Sequence, residues 1–221
     1  MKRFYVLLIA VAAVGGAILF VAARQRPPSG LRWGGPAPAP ASDGFNGYVE
    51  GSDSARVEIV EFLDFECPAC ASFAVIQLPT IRQQLIQTGR LRWRSRDYPL
   101  SSHEFSRFAA HAAHCAGEQG RYREMHDHIF ANHSWAQTGR DPSGLFRQLA
   151  QAAGVDVARY DACMESERYA GRIEASLQEG ARLGVGGTPT FFVNGRLLAG
   201  GSVPNSDQIK QLVEQAEAAR N

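Results

Sequence analysis

Cys67 and Cys70 are two thiols three residues apart, enclosing Pro68 and Ala69. At that spacing two sulfurs on the first turn of a helix can close a small disulfide ring and open it again. The pair sits where a strand-like run gives way to a helix-like one. Val57-Glu58-Ile59-Val60-Glu61-Phe62-Leu63 is rich in β-branched and aromatic residues, the composition of a pleated, part-buried strand. Cys67 falls at the N-cap of the following helix, with Pro68 at the first helical position, where a missing N–H costs no hydrogen bond. An N-cap sulfur faces unpaired backbone N–H groups and the positive end of the helix dipole, which favour thiolate over thiol. A thiolate is what attacks disulfides. The residues predict a redox-active dithiol.

Two other chemistries use a C-x-x-C pair. A zinc site usually needs a second C-x-x-C or paired histidines at short spacing. Here the remaining cysteines, Cys115 and Cys163, are solitary. His126 and His128 are two apart and fall on different helix faces, while His111 and His114 share a face within an alanine-rich stretch that suits packing. An inert structural bridge is the other alternative. The strand–turn–helix context favours redox chemistry over both, and no metal is expected.

The N-terminus bears on the compartment. Met1-Lys2-Arg3 precedes an uncharged run of 20 residues, Phe4 to Ala23, followed by Arg24 and Arg26. At helical rise that run spans ~30 Å, enough for a hydrocarbon core. A cleavable signal has a shorter apolar region of about 7–15 residues, so an uncleaved membrane anchor is expected over residues 1–23. The small residues Ala12, Ala13, Gly15, Gly16 and Ala17 also allow cleavage, which would release a secreted form. Lys2 and Arg3 oppose Arg24 and Arg26 across the span, so charge does not fix its orientation. The cysteine chemistry puts the domain outside the cytoplasm, on the periplasmic or extracytoplasmic face.

Residues 24–46 carry Pro27, Pro28, Pro36, Pro38 and Pro40 among Gly, Ala and Ser, the composition of an extended tether. Residues 47–221 fit one globular domain. Lys and Arg number 23 against 22 Asp and Glu; without Lys2, Arg3, Arg24 and Arg26 the balance is 19 against 22. Nothing in that balance suggests nucleic acid as a partner.

Periodicity then orders the elements. Strand 57–63 feeds a helix over about 68–88 with apolar Phe73, Ile76, Leu78, Ile81, Leu85 and Ile86, and a kink expected at Pro79. Leu91 to Arg96 alternates and reads as a second strand. Helices follow at about 103–117, 119–131, 142–153, 157–164 and 166–183. Thr190-Phe191-Phe192-Val193 and Arg196-Leu197-Leu198-Ala199 flank Asn194-Gly195, a type I′ hairpin signal. An amphipathic helix over 205–219 closes the chain. A βαβ start and a ββα finish can complete one mixed sheet with helices on both faces, and the block at about 103–183 forms its own lobe. The expected fold class is α/β: a thioredoxin fold with an inserted all-helical lobe, preceded by an N-terminal transmembrane helix. Such a fold carries a cis-proline before the hairpin strand, and Pro189, after Thr188, stands in that place. Without the fold argument a trans bond would be expected.

In these features the chain resembles the DsbA-like thiol–disulfide oxidoreductases of the thioredoxin superfamily, from about Gly47 to the C-terminus. The resemblance rests on Glu61-Phe62-Leu63-Asp64-Phe65-Glu66-Cys67-Pro68-Ala69-Cys70, on Arg96-Asp97-Tyr98-Pro99-Leu100, and on Gly187-Thr188-Pro189-Thr190-Phe191-Phe192-Val193-Asn194-Gly195. It implies that Cys67 is the nucleophile and Cys70 the resolving thiol. It implies that Thr188 and Pro189 offer backbone to an extended substrate, and that Glu61 is a buried carboxylate passing protons to and from Cys70. A carboxylate of that kind has a raised pKa; an edge carboxylate facing solvent is the other reading of Glu61. The implied partners are substrate proteins with cysteines and a membrane redox partner, a quinone-linked oxidase. No cofactor is expected beyond the redox-active Cys67–Cys70 disulfide itself.

One departure bears on redox direction. Well-known oxidising members place a histidine immediately before the second cysteine, where this chain has Ala69. The expected activity is disulfide donation by a moderate oxidant. A membrane-tethered reductase or isomerase is the alternative, and a copper-handling thiol carrier a more remote one. Cys115 and Cys163 lie in separate predicted helices of the lobe. A protein outside the cytoplasm rarely keeps two free thiols, so a structural disulfide between them is expected.

Overall fold

In the computed structural model, which describes residues 43–198 and 203–218, one five-stranded sheet carries the site. Its strands are β1 (Tyr48–Glu50), β2 (Val57–Leu63), β3 (Leu91–Asp97), β4 (Thr190–Val193) and β5 (Arg196–Leu197), in the spatial order β1-β3-β2-β4-β5. β2 and β3 run parallel in the register Val57↔Leu91 to Leu63↔Asp97; β4 pairs antiparallel with β2, and β1 with β3. The central strand is therefore the β-branched run ending four residues before Cys67. Strand β1 was not legible in the sequence: three residues at a sheet edge carry too little pattern to separate from a linker. Residues 1–23 and the linker up to residue 42 lie outside the described residues. Among the described residues no helix is long and apolar enough to cross a membrane.

Helix α1 starts at Pro68–Ser72 and runs on through a π-helical stretch, Phe73–Gln77, an α segment, Leu78–Ile81, and a second π stretch, Arg82–Ile86. The wide i→i+5 turn just before Pro79 accommodates a residue that has no N–H for an α-helical ladder. It also shifts the apolar stripe. Phe73 and Leu78 are buried five residues apart, while Ile76, expected in the core, is 63% exposed.

The two faces of the sheet are covered separately. On one, α1 and the closing helix α7 (Ser206–Ala218) pack against Val57, Ile59, Leu91, Trp93 and Phe191 through Phe73, Leu78, Ile81, Leu85, Ile209 and Val213. Fully burying side chains of this size stabilises by about 1.5–3 kcal/mol each. On the other, Phe62, Tyr98, Val185 and Phe192 pack with Leu177 of helix α6 (Ala170–Arg182). Both faces being buried, Glu61 of β2 enters the interior while Glu58 stays part-exposed.

Between β3 and β4 lies the helical insertion: α2 (Ser106–Gly117), α3 (Tyr122–Ala131), a 3-10 turn (His133–Gln137), α4 (Ser143–Ala152), α5 (Val157–Ser166) and α6. The 3-10 turn lacks the length to show a period in the sequence. Helix α6 begins at Ala170 rather than 166, because Glu167 takes a left-handed φ of 47° and ends α5. Asn194 and Gly195 both have positive φ (47° and 78°), as a type I′ hairpin turn requires.

Candidate active site

Cys67 caps α1 with extended dihedrals (φ −76°, ψ 123°), followed by Pro68 at the helix start. The cap is a turn held by Asp64, whose carbonyl accepts from the Cys67 N–H at 3.1 Å. Cys70, one turn on, faces into the core with no exposure, whereas Cys67 keeps 6%. Both stand as free thiols. The chain thus separates a thiol that can be reached from one that is shielded behind the helix start.

The second half of the site comes from the loop before β4. The Thr188–Pro189 bond is cis, and the Thr188 carbonyl accepts from the Cys67 thiol at 3.3 Å. Thr190 Oγ1 donates to the Gly187 carbonyl at 2.7 Å, which tightens the loop as it enters the strand. The Cys67 thiol pKa is lowered to about 5. The Cys70 thiol hydrogen bond contributes most, burial opposes it, and the Thr188 side chain and the backbone N–H groups of Cys70 and Ala69 add to the lowering. Cys70 is pushed well above an ordinary thiol, by burial first and then by its partner Cys67. One thiol is a thiolate near neutral pH and the other a thiol.

Glu61 lies on β2 opposite Ser95 and Phe191, on the face covered by α1. It is 2% exposed, and its Oε2 has no hydrogen-bond partner. Burial raises its carboxyl to about 8, with Trp93 and Arg82 opposing. It lies close enough to Cys70 to contribute to that thiol's raised pKa. Sequence reasoning left Glu61 between an exposed edge and the interior; burial of both sheet faces places it inside.

Several residues around the catalytic turn were not singled out from the sequence. Asp64, buried, accepts from Glu66 N–H (2.8 Å) through Oδ1, and from Leu100 N–H (2.8 Å) through Oδ2, which also meets His103 Nδ1 at 2.7 Å. Burial pushes the Asp64 carboxyl up while those donors oppose it. Glu66 Oε2 accepts from Phe105 N–H at 2.7 Å. His133, on the 3-10 turn, has its pKa lowered by burial, against the carbonyls of Phe65 and Glu66 and the charge of Cys67. Asp64 and Glu66 fall inside the motif run before Cys67, but their partners are 39 residues or so further on. No local pattern announces such pairings.

Cys115 on α2 and Cys163 on α5 are joined by a disulfide in the lobe, with Cα atoms 5.7 Å apart. His111 lies beside it, with Nε2 3.1 Å from the Cys163 carbonyl oxygen. The ligand-type atoms of His111, Cys115 and Cys163 lie within 4.8 Å of one another, but the two sulfurs are bonded to each other. His114 is buried with Nε2 2.7 Å from Asp97 Oδ2 and Nδ1 3.2 Å from the Tyr48 hydroxyl, which ties β1 to the lobe.

Comparison with known proteins finds relatives of this domain. The chain is 37% identical over 150 residues to a Na(+)/H(+) antiporter, NhaA 3, of Salinispora tropica, covering 67% of this chain and 22% of the antiporter. It is 26% identical over 180 residues to a protein named as a protein-disulfide oxidoreductase in Rickettsia conorii, covering 80% of this chain and 64% of that one. The chain therefore spans about a fifth of the antiporter's length and under two thirds of the oxidoreductase's. Among solved structures, oxidised BdbD from Bacillus subtilis shares the fold, with a TM-score of 0.68 at 24% identity over 76% of this chain and 91% of that one. The thioredoxin family model matches residues 45–215, which contain the sheet, the cysteine pair and the cis-proline loop, and the chain belongs to that family.

Proposed function

We propose that this protein is a thiol–disulfide oxidoreductase that donates disulfides to substrate proteins outside the cytoplasm. The observation that carries the reading is the asymmetry of the pair. Cys67 is stabilised as a thiolate at a helix N-cap by the Cys70 thiol and the backbone N–H groups of Ala69 and Cys70, and Cys70 is buried and held as a thiol. In the oxidised protein a substrate thiolate attacks the Cys67 sulfur, forming a mixed disulfide and breaking the Cys67–Cys70 bond. Cys70 leaves with the electron pair and takes a proton, for which Glu61 is the buried source. A second substrate thiolate then attacks the substrate sulfur and releases Cys67 as a thiolate. The substrate has lost two electrons and the pair has gained them.

Thr188 and Pro189 present the backbone to which an extended substrate would pair. Turnover then needs a membrane partner that withdraws the two electrons, a quinone-linked oxidase by chemical class. Extracytoplasmic placement is supported by the Phe4–Ala23 apolar run and by a second disulfide in the lobe. Ala69, where oxidising relatives carry histidine, favours the second reading, a membrane-tethered reductase or isomerase. Equilibration of the Cys67–Cys70 pair with glutathione buffers, together with its redox state in the living cell, decides between them. A pair mostly oxidised in the cell supports the donor; a mostly reduced pair with a potential near ~−270 mV, that of thioredoxin, supports the reductase.

A further inference from the structure

We propose that the segment Tyr98–Phe105 is a brace holding the catalytic turn and the cis-proline loop at a fixed separation, with Tyr98 as a positioning residue for substrate capture. The proposal rests on the thiol–disulfide exchange reading above and assigns a role to a segment that reading does not use.

The two halves of the site are 121 residues apart in sequence and meet at the Cys67–Thr188 contact. One short segment bonds to both. On the catalytic side, Tyr98 N–H donates to the carbonyl of Leu63, the last residue of β2, at 2.7 Å. Leu100 N–H and His103 Nδ1 meet Asp64 Oδ2, and Phe105 N–H meets Glu66 Oε2. Asp64 and Glu66 are the residues that form the turn into Cys67. On the other side, the Tyr98 hydroxyl donates to the Val185 carbonyl at 2.6 Å, three residues before Thr188.

Packing does not fix the intervening loop. Gly186 and Gly187 present open space where a side chain would stand, with nothing within 4 Å of either. Two consecutive glycines there leave the backbone broad conformational freedom. The height of Thr188 over the Cys67 sulfur is then set by the loop's anchors: Val185 at one end and Thr190 at the other. Val185 is buried, so its carbonyl has no water to replace the Tyr98 hydroxyl. The ring itself is held in place. A Cβ at Gly180 of α6 would come within 2.7 Å of Tyr98 Cδ2 and 2.8 Å of Cε2, so glycine there is what lets the helix close on it.

The test compares wild type with Tyr98→Phe, which removes only the hydroxyl. Oxidation of a dithiol peptide reports substrate capture; oxidation of dithiothreitol, which has no backbone to pair, reports the cysteine chemistry alone. The expected result is a KM for the peptide raised about fivefold, the scale of one lost hydrogen bond, with dithiothreitol oxidation within about twofold of wild type. The alkylation midpoint of Cys67 should also shift as Thr188 moves relative to the sulfur. A lowered melting temperature with KM and that midpoint unmoved would mean a purely structural hydroxyl and overturn the proposal. Gly180→Ala, which keeps the hydroxyl but displaces the ring, is the second variant. If Tyr98→Phe does not fold, a raised peptide KM in Gly180→Ala supports the brace and an unchanged one overturns it. An inactive wild-type protein would instead fail the oxidoreductase reading, while variants indistinguishable from an active wild type fail this inference alone.

Discussion

The Cys67 thiol lies 3.3 Å from the carbonyl oxygen of Thr188, so the nucleophile sits directly against the backbone that would receive a substrate strand. On the proposed reading, bond exchange and substrate pairing would occur at one point, and a group attacking Cys67 would arrive alongside the loop, oriented before the bond changes.

The two thiols should behave differently on substitution. Cys67→Ser should abolish exchange, and Cys70→Ser should trap mixed disulfides with client proteins, visible as adducts on non-reducing gels. Iodoacetamide should label Cys67 first, with a rate rising through a midpoint of about 5. Because the folded thiol pKa is depressed from about 9, the reduced protein gains stability that is fully present above pH ~9 and lost as pH falls through about 5. Preferential labelling of Cys70 near neutral pH would reverse the assignment.

Glu61 carries the opposite sign. Its folded pKa, raised from 4.5 to about 8, gives a contribution to stability that is fully present below pH 4.5 and lost as pH rises through about 8. Glu61→Gln cannot ionise, so it should remove that loss. Urea unfolding at pH 8 should show the variant gaining on wild type by on the order of 4 kcal/mol relative to pH 4.5. In exchange assays the same variant should slow release or capture of the Cys70 proton, severalfold at neutral pH. Equal pH profiles for wild type and variant would remove Glu61 from proton transfer.

The disulfide of the lobe closes a 48-residue span between α2 and α5. Cys115→Ala combined with Cys163→Ala should lower unfolding free energy through the loss of loop closure, whose chain-entropy share is ~4 kcal/mol at most. The cavity left by two small buried residues adds to the loss. Chemical unfolding of the double variant measures it, and peptide mapping without reductant should show neither native residue alkylated.

Ala69→His should make the pair more oxidising. An imidazole immediately before Cys70 adds a donor or a positive charge close to the Cys67 thiolate, and a stabilised thiolate favours the reduced form. Glutathione equilibration should show a higher reduction potential in the variant. An unchanged or lower potential would mean that the helix N-terminus and Thr188 already saturate the sulfur.

Most elements, and the cysteine pair with its strand–turn–helix setting, are legible in the sequence. The Cys67–Cys70 spacing, Pro68 at the helix start, the β-branched run 57–63 and Asn194-Gly195 are local signals, each with a steric or hydrogen-bonding cause within a few residues. The helical insertion and the place of Pro189 followed from their order. What lay beyond local signals was decided by tertiary structure. Strand β1 exists because β3 offers it an edge, and Ile76 faces outward because a π turn precedes Pro79. Glu61 has a raised pKa because helices cover both faces of its sheet. Asp64, His103, Tyr98 and Val185 join the site through partners 36 to 87 residues away, and Thr188 through one 121 residues away. A hydrogen bond between distant segments leaves no periodicity in either; only the packing of the sheet and its helices brings donor and acceptor within reach.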